Sequence, residues 1–133
     1  MPRELPARFG RYVLESVLGE GGMAVVYRAV LHGPAGFQKR DAIKIAHQGD
    51  DRAWSTPSLY AEGRIAGRLR HRHVVDIYEM GDIDGQPYIA MELVEGLTLS
   101  RLIRAATGRP PAVNCAIAMA IVRGLCAAHA LQD

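Results

Sequence analysis

The first part of the chain alternates short apolar runs with glycine-rich or polar turns. The runs are rich in Val, Ile, Leu and Tyr, which are enriched in β-strands. A glycine-rich turn at 19–22 separates the first two runs, which predicts an antiparallel hairpin, and Asp84-Gly85 is a favourable turn pair between the last two. Five strands are therefore predicted, at 12–18, 25–31, 42–46, 74–80 and 87–93.

Helical spacing of apolar residues marks three other segments. The first helix is predicted to begin with Thr56 as N-cap and Pro57 at the first helical position, and to run to about Arg70. Thr98 is predicted to cap a short second helix. The third helix places apolar residues at helical spacing across 113–128.

This order of elements predicts an α+β fold, in which a five-stranded antiparallel sheet with one helix precedes a helical part. Residues 48–55 are predicted to be a polar connector before that helix. The predicted organisation is an N-terminal extension at 1–10, a first lobe at 11–95 and the start of an incomplete helical lobe at 96–133. Because the last helix is apolar over much more than one stripe, it needs burial from several sides. We therefore expect the chain to be the front half of a larger domain.

Composition favours a folded cytoplasmic protein. Hydrophobic residues make up 49% of the 133 positions, which is enough for a core, and a net charge of +2 is too small to predict nucleic-acid binding. The N-terminus lacks the apolar core of a signal peptide. The longest apolar stretch, 112–122, is predicted to be too short to span a bilayer.

Neither the cysteines nor the histidines predict a metal site. Cys115 and Cys126 have no second pair nearby, so we expect buried thiols in a reducing compartment. His71 and His73 lack a third ligand at a convincing spacing. No metal ligands are therefore predicted in this chain.

A glycine-rich turn, a lysine and a glutamate form a candidate phosphate site. Glycines within 19–22 let backbone amides approach an anion closely, because no Cβ intervenes. Lys44 lies in a predicted strand and shares its face with Ala42 and Ala46. Glu62 lies on the apolar face of the first helix, where an unpaired carboxylate is costly, so Lys44 is its expected partner. A buried Lys–Glu pair whose remaining lysine donors are free can bind phosphate.

The same turn also matches the dinucleotide-binding pattern. Gly19, Gly21 and Ala24 have the required spacing, and Asp41 follows about twenty residues on. That motif requires a helix to begin at the glycines, whereas 25–30 is strand-like here. The hairpin form of the site is therefore favoured over a dinucleotide-binding fold.

The stretches 18–27, 42–44 and 60–64 together resemble the start of a bacterial-type (Hanks-type) serine/threonine protein kinase catalytic domain. The resemblance covers the chain from about Phe9 onward. It implies a protein-kinase-like N-lobe with its hinge, followed by the first helices of a truncated C-lobe. In that family the glycine loop covers the ATP phosphates, and the strand lysine contacts them while pairing with the glutamate of the N-lobe helix. The resemblance therefore implies catalytic roles for Lys44 and Glu62.

The resemblance also implies which residues bind ATP. The adenine would be enclosed by Leu18, Val26 and Ala42. Met91 would be the gatekeeper, and backbone groups of Glu92 and Val94 would hydrogen-bond the adenine edge. The full implied set is Leu18, Gly19, Glu20, Gly21, Gly22, Met23, Ala24, Val26, Ala42, Lys44, Met91, Glu92 and Val94.

The sequence departs from the family pattern in three respects. Ala24 replaces the third glycine of the loop, and Asp41 stands where the family usually has Val. The H-R-D catalytic loop and the D-F-G metal site do not occur in these 133 residues. The general base and the magnesium ligands are therefore expected only in sequence beyond Asp133.

Two functions from different classes remain open. The first is the ATP-binding part of a serine/threonine protein kinase, which transfers the γ-phosphoryl group of MgATP to protein hydroxyls. Its expected partners are ATP and protein substrates, with no nucleic acid, and with membrane attachment only through sequence beyond this chain. The alternative is a catalytically inactive, pseudokinase-like regulatory or scaffold module that binds nucleotide or a protein partner. Intact Lys44 and Glu62 favour the first, and the missing catalytic loop favours the second.

Overall fold

The computed structural model of the protein describes residues 3–48, 55–105 and 108–131. Most of the predicted connector, 49–54, therefore lies outside the described residues. The chain forms two compact units, the first with the sheet and one helix and the second with two helices. The units are Met1–Arg68 with Asp76–Leu93, and Leu69–Val75 with Val94–Asp133.

The strands of the first unit form one antiparallel sheet in the order β1-β2-β3-β4-β6-β5. They are β1 (Ala7–Phe9), β2 (Tyr12–Glu20), β3 (Ala24–His32), β4 (Gln38–Ala46), β5 (Ile77–Ile83) and β6 (Gln86–Glu92). The prediction of five strands was wrong by one, because β1 lies inside the predicted extension at 1–10. Three residues are too few to show an alternating pattern. Gly10, at φ +56°, makes the turn that pairs Phe9 with Tyr12.

The β5–β6 hairpin is displaced from its predicted position. The strand predicted at 74–80 begins at Ile77, because the residues before it form a turn. Gly81 continues the strand where a connector was predicted, and a Cβ there would lie 3.1 Å from the Tyr88 ring. The turn itself is Asp84-Gly85, with both residues at positive φ as a tight hairpin turn requires. The predicted turn pair is therefore confirmed.

The sheet curls until its two outer strands approach each other. A Cβ on Gly10, beside β1, would lie 2.7 Å from Cδ1 of Ile83 on β5. Phe9 of β1 also packs edge-on against Tyr88 of β6, with ring centroids 5.5 Å apart. Because β1 and β5 are not hydrogen-bonded neighbours, side chains bring the ends of the sheet together.

One carboxylate joins the two halves of the curled sheet. Glu79 of β5 accepts hydrogen bonds from the hydroxyl groups of Tyr12, at 2.7 Å, and Tyr88, at 2.9 Å. The guanidinium of Arg11, just before β2, lies 2.7 Å from the other carboxylate oxygen. Burial, reinforced by the bond to Glu79, raises the pKa of Tyr88 to about 12. Burial by itself raises the pKa of Glu79, but its three hydrogen bonds outweigh that effect and lower the pKa below its ordinary value.

The alternating side chains of β4 separate two faces of the sheet. Ile43 and Ile45 belong to the main core, together with Phe9, Tyr12, Leu14, Val25, Tyr27, Ala29, Tyr88 and Ala90. Ala46 packs on the opposite face, against Leu59 of the first helix and Ile89 of β6. Ile43 and Ile45 therefore lie opposite Ala46, as the period of two predicts.

The first helix, α1 (Ser55–Ala66), lies against that second face. It is shorter than predicted: a turn follows Ala66, so the helix does not reach Arg70. Gly67 stands at this point, and glycine disfavours continuation of a helix. Thr56 lies inside the helix, so its predicted role as N-cap was wrong.

Gly63 sets how closely α1 approaches the sheet. This residue is buried in mid-helix, and a Cβ there would lie 2.5 Å from Sδ of Met80 and 3.2 Å from Cδ1 of Ile89. The Met80 thioether is flexible and 38% exposed, whereas Ile89 is fully buried and has no room to move. The absence of a side chain at 63 therefore allows the helix to lie close to β5 and β6.

β4 begins at Gln38, four residues before the strand predicted at 42–46, and Asp41 within it is almost fully buried, with 2% exposure. Nζ of Lys39 lies 3.3 Å from its Oδ1, although this contact lacks hydrogen-bond geometry. Lys39 also lies over the Tyr78 ring, 3.5 Å from the centroid. Because Asp41 stands where the family usually has Val, the strand carries a buried carboxylate that contacts a partly exposed lysine.

The second unit contains α2 (Leu99–Ala105) and α3 (Pro111–His129). Oγ1 of Thr98 accepts a hydrogen bond from the backbone N–H of Arg101 at 3.2 Å, which confirms the predicted cap. Within α3, the buried residue is Gly124, where a Cβ would lie 3.1 Å from the carbonyl oxygen of His73.

One expectation for α3 was wrong. Cys115 and Cys126 are exposed, because nearly the whole surface of the helix is exposed in the part of the chain that the structure describes. The helix has 19 residues, and an 18-residue window within it has a mean hydropathy of 1.6, so by length and composition alone it is long enough to cross a membrane; the prediction made for the shorter stretch 112–122 stays a prediction. Core helices of soluble proteins can have the same length and hydropathy, although they are mostly buried. Of this 18-residue window, 6% is buried.

The Glu79 network predicts how stability depends on pH. Because the folded pKa of Glu79 is lowered, its contribution is complete above the ordinary carboxyl pKa and is lost as the pH falls through the folded value. Glu79→Gln should lower the free energy of unfolding at pH 7 by about 1–3 kcal/mol and flatten the loss of stability between pH 5 and 3. Urea unfolding at several pH values measures both effects. The exposed Glu15 of β2 provides the control Glu15→Gln, and equal pH profiles for the two variants would contradict the prediction.

Gly63 supplies a second test. Gly63→Val should destabilise the protein by about 1–3 kcal/mol, because the added methyl groups meet the immobile Ile89 side chain. Arg64→Val introduces the same β-branched residue at the neighbouring exposed position and should cost less than about 1 kcal/mol. Urea unfolding measures both free energies, and similar losses would show that the helix–sheet spacing does not depend on Gly63.

Candidate functional site

An ion pair joins the centre of the sheet to α1. In the register of the sheet, Lys44 of β4 lies between Val26 of β3 and Ile89 of β6. Its Nζ lies 2.8 Å from both carboxylate oxygens of Glu62 on α1. The side chains are 21% and 39% exposed, so the pair predicted to be buried is only partly so. The structure thus places the two predicted catalytic residues in direct contact, and their roles stay a prediction.

The glycine-rich turn and Lys44 enclose one cavity of about 300 Å³. This volume lies at the lower end of the usual range for ligand sites. Eight of the residues implied by the resemblance line it: Gly19, Glu20, Gly21, Gly22, Met23, Ala24, Val26 and Lys44. The lining contains one ammonium group, from Lys44, which suits an anionic ligand, and one carboxylate, from Glu20.

The glycines of this turn place no side chain in the space above it. A Cβ on Gly19 or Gly22 would meet no atom within 4 Å, so the space above the turn is open. The backbone N–H of Gly21 donates to the carbonyl oxygen of Ala24 at 2.9 Å and closes the turn. Ala24 begins β3, so no helix starts at the glycines and the dinucleotide-binding alternative does not apply.

Apolar residues implied for adenine lie near Lys44 on the sheet. Ala42 is the cross-strand neighbour of Met91, and both lie on the face that carries Lys44. Leu18 is 47% exposed at the end of β2. The assignment of these residues to adenine binding stays a prediction.

The remaining two implied residues belong to different units. Glu92 ends β6, and its backbone N–H donates to the carbonyl oxygen of Asp76 at 2.9 Å. The backbone N–H of Glu92 is therefore already hydrogen-bonded, and its backbone carbonyl stays a candidate contact for a ligand. Val94 belongs to the second unit and is 62% exposed.

One residue near the cavity was missed. His47 follows β4, and its ring Nε2 lies 2.7 Å from the carbonyl oxygen of Gly21 in the glycine-rich turn. In the sequence, His47 is a polar residue directly after the strand-like run 42–46. Polar residues after such runs are too common for this position to indicate a role.

Within residues 3–48, 55–105 and 108–131, no three His, Cys, Asp or Glu side chains come together in a way that could hold a metal ion. The expectation that magnesium ligands lie beyond Asp133 stays a prediction.

Relatives of known type resemble the chain over most of its length. It is 37% identical to serine/threonine-protein kinase PknH of Mycobacterium bovis over 122 residues, which are 92% of this chain and 20% of the relative. It is 36% identical to serine/threonine-protein kinase PknE of Mycobacterium tuberculosis over 125 residues, 92% of this chain and 21% of the relative. The chain therefore spans about a fifth of the length of these curated relatives.

The fold is also that of solved kinase domains. The crystal structure of the Mycobacterium tuberculosis PknI kinase domain matches with a TM-score of 0.68 and 28% identity, covering 96% of this chain and 51% of that one. A double mutant of the same domain matches with a TM-score of 0.70 and 27% identity, covering 96% and 52%. The predicted kinase-like fold class is confirmed by these structures. The protein kinase domain family matches residues 12–132, and the chain therefore belongs to the protein kinase domain family, among the bacterial serine/threonine kinases.

Proposed function

We propose that this chain is the ATP-binding part of a serine/threonine protein kinase. The observation that carries the proposal is the Lys44–Glu62 ion pair at the cavity beneath the glycine-rich turn. The family membership supports a kinase function. The lining of this cavity supports a binding site for the phosphates of ATP.

The ion pair presents a positive charge in a fixed position. An ammonium has three N–H donors, and Lys44 directs two of them to Glu62, which leaves the third for a ligand in the cavity. Glu62 holds the flexible lysine side chain in one place, so less of its rotamer freedom is lost when a phosphate binds. Lys44 would therefore bind the phosphates, and Glu62 would position Lys44.

The glycine-rich turn would supply the second contact with the phosphates. Gly19 carries no side chain, and a Cβ there would face open space, so an anion can approach its backbone without meeting a side chain. Apolar side chains of Val26, Ala42 and Met91 share the face of Lys44 and suit a flat aromatic base. The donor set and the apolar surface together fit ATP.

In the whole protein, the reaction proposed is transfer of the γ-phosphoryl group of ATP to a hydroxyl of a protein substrate. Such transfer depends mainly on positioning and on electrostatic stabilisation of the phosphates. Lys44 and the glycine-rich turn would contribute to both. The general base and the magnesium ligands are proposed to lie beyond Asp133, and a cytoplasmic location of this part of the protein is proposed as well.

A second function uses the same site without transfer. The sequence of these 133 residues contains neither an H-R-D loop nor a D-F-G segment, which is the observation that favours a nucleotide-binding regulatory module. Phosphate transfer to a protein substrate by the whole protein separates the two functions. Incorporation of labelled phosphate supports the kinase, and nucleotide binding without incorporation supports the module.

Substitution of Lys44 tests the binding site. Lys44→Met should weaken binding of the fluorescent analogue trinitrophenyl-ATP by at least about tenfold, because it removes the charge that faces the phosphates. Glu62→Gln should weaken binding of the analogue less than Lys44→Met does. In that variant Lys44 keeps its charge and loses only the carboxylate that holds it in place. Fluorescence titration of the 133-residue chain measures the dissociation constants.

The sequence contains one other lysine, Lys39, which serves as a matched control. Lys39 contacts Asp41 and Tyr78, away from the residues that line the cavity. Lys39→Met should therefore leave the affinity within about twofold of the original. Equal effects of the two lysine substitutions, or full binding by Lys44→Met, would refute the assigned site.

A further inference from the structure

A second cavity lies beside the start of β3, the end of β4 and the turn between β5 and β6. Its volume is about 530 Å³, within the usual range for ligand sites. Val25, Tyr27 and Ile45 line it, and all three belong to the main core, on the face of the sheet opposite Lys44. Of the described residues, none lines both this cavity and the one beneath the glycine-rich turn. The two cavities are therefore separate.

Two opposite charges line the second cavity. One is the guanidinium of Arg3, before β1, and the other is the carboxylate of Asp84, in the β5–β6 turn. In the part of the chain that the structure describes, Arg3 and Asp84 form an ion pair neither with each other nor with another side chain. Both charges therefore stay open to a ligand.

An aromatic ring holds the guanidinium of Arg3. Its Cζ lies 4.9 Å from the centroid of the Phe9 ring, and Phe9 is buried. A cation–π contact draws on the charge of the guanidinium and gives its N–H groups no oxygen acceptor. A guanidinium has five N–H donors in a planar arrangement that matches a carboxylate. Arg3 is thus positioned to bind a carboxylate group.

The backbone of the hairpin turn holds Asp84. Asp84 and Gly85 both have positive φ, and the backbone N–H of Gly85 donates to the side chain of Asp82 at 2.8 Å. Asp82 therefore braces the turn, while the carboxylate of Asp84 stays exposed. A carboxylate accepts hydrogen bonds only, so an ammonium group is a suitable partner for it.

The rest of the lining combines amide groups with apolar side chains. Gln48 and Gln86 each carry an amide that can both donate and accept hydrogen bonds. Val25, Tyr27 and Ile45 are at most 4% exposed and offer a surface on which an apolar group loses contact with water. Such a lining suits a small ligand with a polar end and an apolar end.

We propose that the second cavity binds a small zwitterion with an apolar side chain, which is the chemistry of an apolar α-amino acid. Arg3 would bind its carboxylate, Asp84 would bind its ammonium group, and the core residues would contact its side chain. A purely anionic ligand would be repelled by Asp84, and a purely cationic ligand would be repelled by Arg3. The proposal does not rest on the proposed function, because it concerns the other face of the sheet.

Three related probes test the charges of the ligand. L-phenylalanine carries both charges, 3-phenylpropionate lacks the ammonium group, and phenethylamine lacks the carboxylate. The 133-residue chain should bind L-phenylalanine at least about fivefold more tightly than either analogue. NMR titration measures the dissociation constants, and the amide signals of residues 25, 27, 45 and 84–86 should shift.

Two substitutions assign each charge to its partner. Arg3→Gln should remove the preference for L-phenylalanine over phenethylamine, and Asp84→Asn should remove its preference over 3-phenylpropionate. Asparagine tolerates the positive φ at position 84, so the turn is kept. The control is Arg40→Gln, because Arg40 is exposed on β4 and does not line this cavity; its dissociation constants should stay within about twofold of the original.

The outcomes also separate this proposal from nucleotide binding. L-phenylalanine should not displace trinitrophenyl-ATP, since the two cavities share no described lining residue. Competitive displacement would overturn the proposal, and so would equal binding of the three probes or no binding of L-phenylalanine at about 10 mM. Binding of trinitrophenyl-ATP alone decides the proposed function, whatever the result with L-phenylalanine.

Discussion

The candidate site depends on the ion pair between Lys44 and Glu62, because it is the polar contact that ties α1 to the middle of the sheet. Two carboxylate oxygens at 2.8 Å hold one ammonium group, and strand alternation places that ammonium on the face opposite the main core. If β4 shifted by one residue, Lys44 would move into the core and Ile43 or Ile45 would take its place. The packing of the isoleucines therefore fixes the face on which Lys44 lies, and Glu62 holds its ammonium group on that face.

The two faces of the sheet carry different kinds of polar interaction. On the core side, the Glu79 carboxylate satisfies two largely buried tyrosine hydroxyls and one arginine, and it connects strands that are far apart in the sheet order. On the other side, Lys44 directs two of its three N–H donors to Glu62. The first arrangement satisfies its groups internally and stabilises the fold. The second leaves a donor available, which is the physical requirement for a binding site.

Much of this architecture could be predicted from local patterns. The glycine turn, the alternation of β4 and the Asp84-Gly85 turn each depend on a few neighbouring residues, and all three are present in the structure. The Lys44–Glu62 contact was also predictable, since a carboxylate on an apolar helix face requires a partner. The family resemblance combined these local predictions into one fold for most of the chain.

The features that were missed depend on contacts between distant segments. The partnership of Glu79 with Tyr12 exists only after the sheet has curled, and nothing near either residue in the sequence indicates it. Gly81 marks a strand interior and not a turn, because the Tyr88 ring occupies the space of its side chain. Cys115 and Cys126 were expected to be buried from the apolar character of α3, but burial depends on which surfaces cover a helix, and composition does not specify them.

The way in which β1 meets β5 has a consequence for how this sheet opens. The seam between them is closed by the packing at Gly10 and Ile83, without the backbone ladder that joins every other neighbouring pair of strands. Separation of the seam therefore breaks side-chain contacts, including the hydrogen bonds of Glu79, but no ladder hydrogen bonds, which makes it a route by which water or a protease can reach the interior of the sheet. β1 is joined to the rest of the sheet by three residue pairs with β2, so the stability of this short pairing controls how readily the seam opens.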